Sequence, residues 1–249
     1  MNKIILIGPV NPYRGGIAHF LTTFSSYMSK ISDIQIISFK RLYPKFLYPG
    51  KFQKELNIKK CDNTDYIIDT LNPLTWIKAV KKIISSKPDV VIFTYWTSYL
   101  FFVYFFLIII LRKKNIKIAI DFHNLADHEA RSVISFFAKI IIKKSDYIIY
   151  QEISLNINNL IKVNTKAKYK YLTKPCNQDF NLNIEAFKKK KKLELLFYGF
   201  IRHYKGLDIL LEAMSLVKNQ IDVHLSIVGE IWHKNEKFWR SLISSFNLQ

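Results

Sequence analysis

The sequence predicts an α/β protein whose parallel sheet is covered by helices, and three observations predict it. Short apolar runs alternate with helix-length segments along most of the chain. The runs are apolar on both faces, as strands buried between two helix layers must be. Two of them, ending at Gly8 and at Gly199, lead through a loop into a helical pattern, the arrangement that opens a strand-helix-strand unit.

The first element is Lys3 to Gly8. Its apolar run is too short for a signal peptide and has no small-residue cleavage site, so it reads as a first buried strand. Ile34 to Phe39, Val90 to Tyr95, Ile116 to Phe122 and Tyr147 to Tyr150 follow as further strands, and together they specify a Rossmann-like first domain. Between two of them, Tyr99 to Leu111 is the one transmembrane candidate, but a span needs about 20 apolar residues and this run stops at Arg112-Lys113-Lys114. It reads as a core helix between strands, with a helix lying in a membrane interface as the other reading.

Beyond Tyr169 to Leu172 comes the turn-forming stretch Lys174-Pro175-Cys176-Asn177-Gln178-Asp179, then five lysines, Lys188 to Lys192. Like charges repel and leave little to bury, which makes this run a solvated linker or, on a second reading, a membrane-contacting patch. The pattern then restarts with Leu193 to Tyr198, a helix from Gly206 to Val217, a strand from Val223 to Val228, a break at Gly229-Glu230 and one more helical segment. The expected organisation is therefore a first domain over 1–180, a Lys-rich linker over 181–192 and a second domain over 193–249. Two strands do not make a self-sufficient doubly wound domain, so the second domain is expected to be incomplete and the chain truncated at its C-terminus.

Of the 249 residues 49% are hydrophobic and 15% aromatic, enough for a packed core and against a disordered chain. The 38 basic and 19 acidic residues leave a net charge of +19, which attracts polyanions: nucleotides, anionic lipid surfaces or nucleic acid. Most of the excess is lysine in a chain rich in Ile and Asn, so codon bias accounts for it equally well. No nucleic-acid-binding motif accompanies the charge, and nucleic acid is not an expected partner. Cys61 and Cys176 stand far apart in no metal or redox spacing, which fits a reducing cytoplasm.

Three segments carry residues suited to chemistry. In Gly8-Pro9-Val10-Asn11-Pro12-Tyr13-Arg14-Gly15-Gly16, paired glycines let backbone amides approach a ligand, and a helix start favours anions. The pattern is not the spaced dinucleotide fingerprint, and a plain tight turn explains it too. Asp121-Phe122-His123-Asn124-Leu125-Ala126-Asp127-His128-Glu129 lies at the carboxyl end of a strand, where side chains reach the crevice of a parallel sheet. His123 there can hydrogen-bond a hydroxyl, whereas the spacing of His123, Asp127 and His128 supplies no metal geometry. The third and most specific segment is Tyr198-Gly199-Phe200-Ile201-Arg202-His203-Tyr204-Lys205-Gly206-Leu207-Asp208. It presents Arg202 and Lys205 at the mouth of a sheet, two cations suited to a diphosphate: a planar fork and a point charge.

This third segment is similar to the Gly-x-x-x-x-x-Lys-Gly loop of the retaining glycosyltransferases of family GT4, glycosyl transferase group 1, which have the two-domain GT-B architecture. The resemblance implies that Arg202 and Lys205 bind the donor diphosphate. Gly15-Gly16 resembles the family's N-terminal glycine loop, which meets donor phosphate and acceptor. His123-Asn124 resembles the His-Asn pair ending a central strand of the acceptor domain, which makes His123 the catalytic candidate near the transferred sugar. Val228-Gly229-Glu230 is a weaker likeness to a strand end of the donor domain. Asn124, His128, Glu129, Gly199 and Glu230 complete the expected cleft contacts.

Two departures stand out. The family's Glu-x-x-x-x-x-x-x-Glu motif has no equivalent before Gln249, and Thr173-Lys174-Pro175-Cys176-Asn177 replaces a His-Pro element. What the resemblance implies is a retaining hexosyltransferase in cell-surface polysaccharide synthesis. It would move a sugar from a nucleoside diphosphate sugar to a hydroxyl of a glycan or lipid-linked acceptor, with no further cofactor and no metal. The expected location is the cytoplasm, with peripheral attachment to an anionic inner membrane face. The alternative is a truncated, non-catalytic remnant that folds and binds a membrane or partner.

Overall fold

The computed structural model describes residues 2–48, 50–123, 136–151, 161–173, 193–232 and 236–248. The chain divides into two compact units, Met1–Lys45 with Phe52–Gln178, and Phe46–Lys51 with Asp179–Gln249.

Unit 1 is a seven-stranded parallel sheet. Its strands are β1 (Lys3–Ile7), β2 (Asp33–Arg41), β3 (Thr64–Asp69), β4 (Val90–Tyr95), β5 (Lys117–Phe122), β6 (Tyr147–Tyr150) and β7 (Lys168–Tyr171), in the order β3-β2-β1-β4-β5-β6-β7. Every strand expected in this domain is present within one or two residues of its expected bounds. Two edge strands were missing from the expected set: β7, noted only as the run Tyr169 to Leu172, and β3, in which only Ile68 is buried. Its pairing with β2 slips at Phe39 and Arg41, and a half-polar element on the edge of the sheet gives little periodic signal.

Helices cover both faces. Alternation along β1 sends Ile4 and Leu6 to a core shared with Leu21 and Phe20 of α1 (Gly16–Met28). Ile5 and Ile7 go to the opposite core, shared with α2 (Pro73–Ser86), α3 (Phe101–Lys113) and α4 (Phe136–Lys143). Helix α2 starts where Asn72 accepts a hydrogen bond from the Leu74 amide and Pro73 fixes the first turn, and it stops at Lys87 in the left-handed region. The apolar run from Tyr99 is a core helix: Phe101, Val103, Tyr104, Leu107, Ile108 and Leu111 are buried, and the Tyr104 hydroxyl donates to the Thr94 carbonyl at 2.9 Å. No described helix is long and apolar enough to cross a membrane.

Unit 2 pairs β8 (Leu193–Tyr198) in parallel with β9 (Val223–Val228), and adds α5 (Leu207–Val217) and α6 (Glu236–Ser245). Its core is Ile201, Leu207, Leu211 and Trp239, flanked by Phe197, Leu225 and Ile227 from one face of the strands. The lysine run 188–192 lies outside the described residues.

Candidate functional site

In unit 1 the strand order reverses direction between β1 and β4, the kind of switch point at whose carboxyl ends open α/β sheets bind ligands. The loop after β1 is fastened down: the Asn11 amide donates to Thr22 Oγ1 at 2.9 Å and the Tyr66 hydroxyl donates to the Asn11 carbonyl. It ends at Gly15, the residue before α1, whose φ of 109° favours glycine. Among the described residues, chain neighbours and the helix's own backbone aside, no atom lies within 4 Å of where a Cβ would stand on Gly15 or Gly16.

One strand further on, β5 and β6 run in register with Phe122 beside Tyr150, which brings the next residues, His123 and Gln151, together. His123 Nε2 meets Asp121 Oδ2 at 3.0 Å, and Gln151 Nε2 donates to Asp121 Oδ1 at 3.0 Å. All three are buried, with 3% of Asp121, 7% of His123 and 8% of Gln151 exposed. With the carboxylate accepting, this contact assigns the ring proton to Nε2, and in a neutral imidazole Nδ1 is then the acceptor. The Phe20 ring of α1 stands edge-on to the imidazole at 4.8 Å between centroids. The Gln151 Oε1 atom is buried without a hydrogen-bond partner among the described residues. Asn124, His128 and Glu129 lie outside the described residues.

In unit 2 the pairing of β8 and β9 continues past their ends. Gly199 N donates to Val228 O, Ile201 N to Glu230 O and Trp232 N to Ile201 O, so two loops leave the sheet side by side. The close approach demands glycine: a Cβ on Gly229 would stand 1.8 Å from the Gly199 carbonyl oxygen. Gly199 itself has a φ of 112°.

This zipped pair of loops sets Arg202 on Trp232. The guanidinium carbon lies 3.4 Å from the centre of the indole ring and 5.6 and 5.8 Å from the rings of Tyr204 and Phe200. Arg202 Nη1 donates to the Tyr204 hydroxyl at 3.1 Å, while Nε is buried with no partner among the described residues. A 3-10 turn, His203–Lys205, follows, and Gly206 at φ 74° opens α5. Lys205 is exposed, its Nζ 3.9 Å from where a Cβ on Gly199 would be. Among the described residues no carboxylate pairs with Arg202 or Lys205. The Glu230 carboxylate accepts from the Lys51 amide, and the Tyr48 ring lies against Trp232, both within unit 2.

The structure therefore brings Gly199, Arg202, Lys205 and Glu230 into one loop pair of unit 2, and places Gly15, Gly16 and His123 at the carboxyl side of the sheet in unit 1. Sequence reasoning missed Gln151 and Trp232, and quoted Asp121 without giving it a role. Parallel register is the signal that would have found Gln151, because it follows the strand beside the one that ends before His123. Among the described residues no three His, Cys, Asp or Glu side chains are grouped to hold a metal ion.

Residues 177–249 match the family model of glycosyl transferases group 1. No curated protein matches the chain in sequence. Among solved structures, an alpha-glucosyltransferase in complex with UDP is similar at a TM-score of 0.60 and 9% identity over 99% of this chain and 62% of its own. The same enzyme with UDP and a 13-mer DNA containing a central A:G mismatch gives 0.56 and 10%, over 99% and 60%. The UDP-GlcNAc 2-epimerase from Methanocaldococcus jannaschii gives 0.54 and 15%, over 99% and 69%. The chain thus spans three fifths of the glucosyltransferase's length. At these identities the likeness is one of fold, and the fold is Rossmann-like and of the GT-B kind.

Proposed function

We propose that this chain is part of a glycosyltransferase that moves a sugar from a nucleoside diphosphate sugar to a hydroxyl. The observation that carries the reading is Arg202: a half-buried guanidinium with no carboxylate partner among the described residues and a buried, unpaired Nε. An uncompensated charge in a partly dry setting is costly, and an anionic ligand at the exposed edge of the guanidinium removes that cost. Lys205 in the same loop adds a second positive charge, and the match of residues 177–249 to glycosyl transferases group 1 favours a donor diphosphate as that anion.

The division of labour follows from chemistry. As the glycosidic bond to the diphosphate breaks, negative charge grows on the leaving group and positive charge on the sugar. Arg202 and Lys205, fixed before the reaction starts, stabilise the departing diphosphate. In unit 1, the helix start at Gly15 and Gly16 offers its amides to a phosphate oxygen. His123, held by Asp121, offers Nδ1 as an acceptor to a substrate hydroxyl. A retaining course, a hexose as the transferred sugar and a glycan or lipid-linked acceptor in cell-surface polysaccharide synthesis extend this reading from the resemblance of the loop. Peripheral docking on an anionic cytoplasmic membrane face extends it from the charge of +19.

The test is calorimetric titration with UDP of the chain and of its Arg202→Ala and Lys205→Ala variants. The unaltered chain is expected to bind, and each substitution to weaken binding by roughly tenfold or more, since charge-assisted hydrogen bonds contribute about 1.5–3 kcal/mol. Equal affinity in all three proteins would reject the diphosphate reading. Release of UDP from UDP-sugars in the presence of hydroxyl acceptors then measures transfer itself.

A further inference from the structure

We propose that Trp232 is a positioning residue for Arg202: its indole holds the guanidinium in the orientation that takes the diphosphate, so nucleotide affinity depends on an aromatic face at position 232. The inference deepens the diphosphate reading and rests on it.

The guanidinium carbon stands 3.4 Å from the centre of the Trp232 ring, the thickness of a stack, and therefore directly over the indole. Phe200, 4.7 Å from Trp232 between ring centroids, and Tyr204 enclose it from other sides. Stacking occupies a guanidinium face and leaves its N–H edge for in-plane bonds to two oxygens of a ligand. The side chain has no carboxylate among the described residues to orient it, so ring contacts and the Tyr204 hydroxyl do so. A long flexible side chain fixed beforehand loses less freedom when a ligand arrives, and that difference appears as affinity.

Backbone geometry makes the pairing deliberate. The ladder from Ile201 to Glu230 and Trp232 sets residues 202 and 232 alongside each other, and it requires the glycine at 229. Trp232 is not among the buried core residues Ile201, Leu207, Leu211 and Trp239. Its replacement tests the platform without removing the core of unit 2.

The experiment compares UDP affinity of the full chain with that of Trp232→Leu, Trp232→Phe, Arg202→Ala and the Trp232→Leu/Arg202→Ala double variant. Trp232→Leu is expected to weaken binding about tenfold, and Trp232→Phe, which keeps a ring face, less than about threefold. The double variant is expected to bind no more weakly than Arg202→Ala, because the indole acts only through the guanidinium. Loss in Arg202→Ala with none in Trp232→Leu overturns the positioning role and leaves the diphosphate reading standing. Additive losses in the double variant also overturn it, as a direct or structural role for Trp232 would produce them. Tighter binding by Trp232→Leu overturns it too, showing that the indole withholds the guanidinium. No binding by the unaltered chain, or no loss in Arg202→Ala, instead rejects the diphosphate reading.

Discussion

The Asp121 carboxylate is the most constrained single group in unit 1: 3% exposed, it accepts from His123 on one oxygen and from Gln151 on both. Removing a donor from a buried carboxylate leaves acceptor capacity that water cannot reach. Gln151→Leu is therefore expected to destabilise unit 1 by about 1–3 kcal/mol in urea unfolding. A variant as stable as the original would show that solvent reaches this site. The same residues show what one sequence can disclose. His123 and Arg202 announce themselves because a charged or titratable side chain beside a strand end has few structural reasons to be there. Gln151 and Trp232 do not, since an amide or an indole is at home in any core. Their roles come from which strand lies beside which, information that resides in the sheet order.

At the level of elements, glycines and strand ends determine what the sheets can tolerate. Gly8 closes β1 with no room for a side chain: a Cβ would stand 2.5 Å from Leu21 Cδ1 and 3.1 Å from Thr94 Oγ1, and Leu21 is fully buried. Gly8→Ala is expected to cost about 1–3 kcal/mol, read as a lower urea midpoint. Gly16→Ala, with open space around it, is expected to leave stability unchanged or slightly raised. Edge strand β3, which apolar periodicity did not reveal, is held through Asp69, which pairs with Arg41 at 2.7 Å and accepts from the Leu71 amide. Burial pushes the Asp69 pKa upward, but the hydrogen bonds from Arg41 and Leu71 and the nearby positive charge outweigh it and hold the group below its ordinary 3.8. A depressed native pKa means stability that is fully present above the unfolded value and is lost as pH falls through the native one. Below about pH 4 the original chain should lose stability more steeply than Asp69→Asn, whose side chain does not titrate; parallel acid-unfolding curves would contradict this. The central strands β1, β2, β4 and β5 were legible because they bury residues on both faces, whereas the edge strands β3 and β7 bury one residue and none.

For the whole molecule the decisive fact is that each unit has its own core. Among the described residues unit 2 buries Ile201, Leu207, Leu211 and Trp239, while unit 1 buries both faces of a seven-stranded sheet. The outer face of β8 and β9 leaves Leu196, Tyr198 and Val228 exposed. Apolar area removed from water is the main source of stability, so the two units should differ widely in it. The strand pattern restarts at Leu193 within unit 2, whereas the inclusion of Phe46–Lys51 in that unit has no sequence signal, because that contact joins residues far apart in the chain. Fluorescence separates the two units. Of the four tryptophans, Trp76 and Trp96 belong to unit 1, and Trp232 and Trp239 to unit 2. In a Trp76→Phe/Trp96→Phe background, tryptophan emission reports unit 2 alone, while far-ultraviolet circular dichroism is dominated by unit 1. The fluorescence midpoint in urea is expected below the dichroism midpoint, and Leu211→Ala to lower only the former, by the equivalent of about 2–5 kcal/mol for a buried leucine. Coincident transitions that Leu211→Ala shifts together would show instead that the two cores unfold as one.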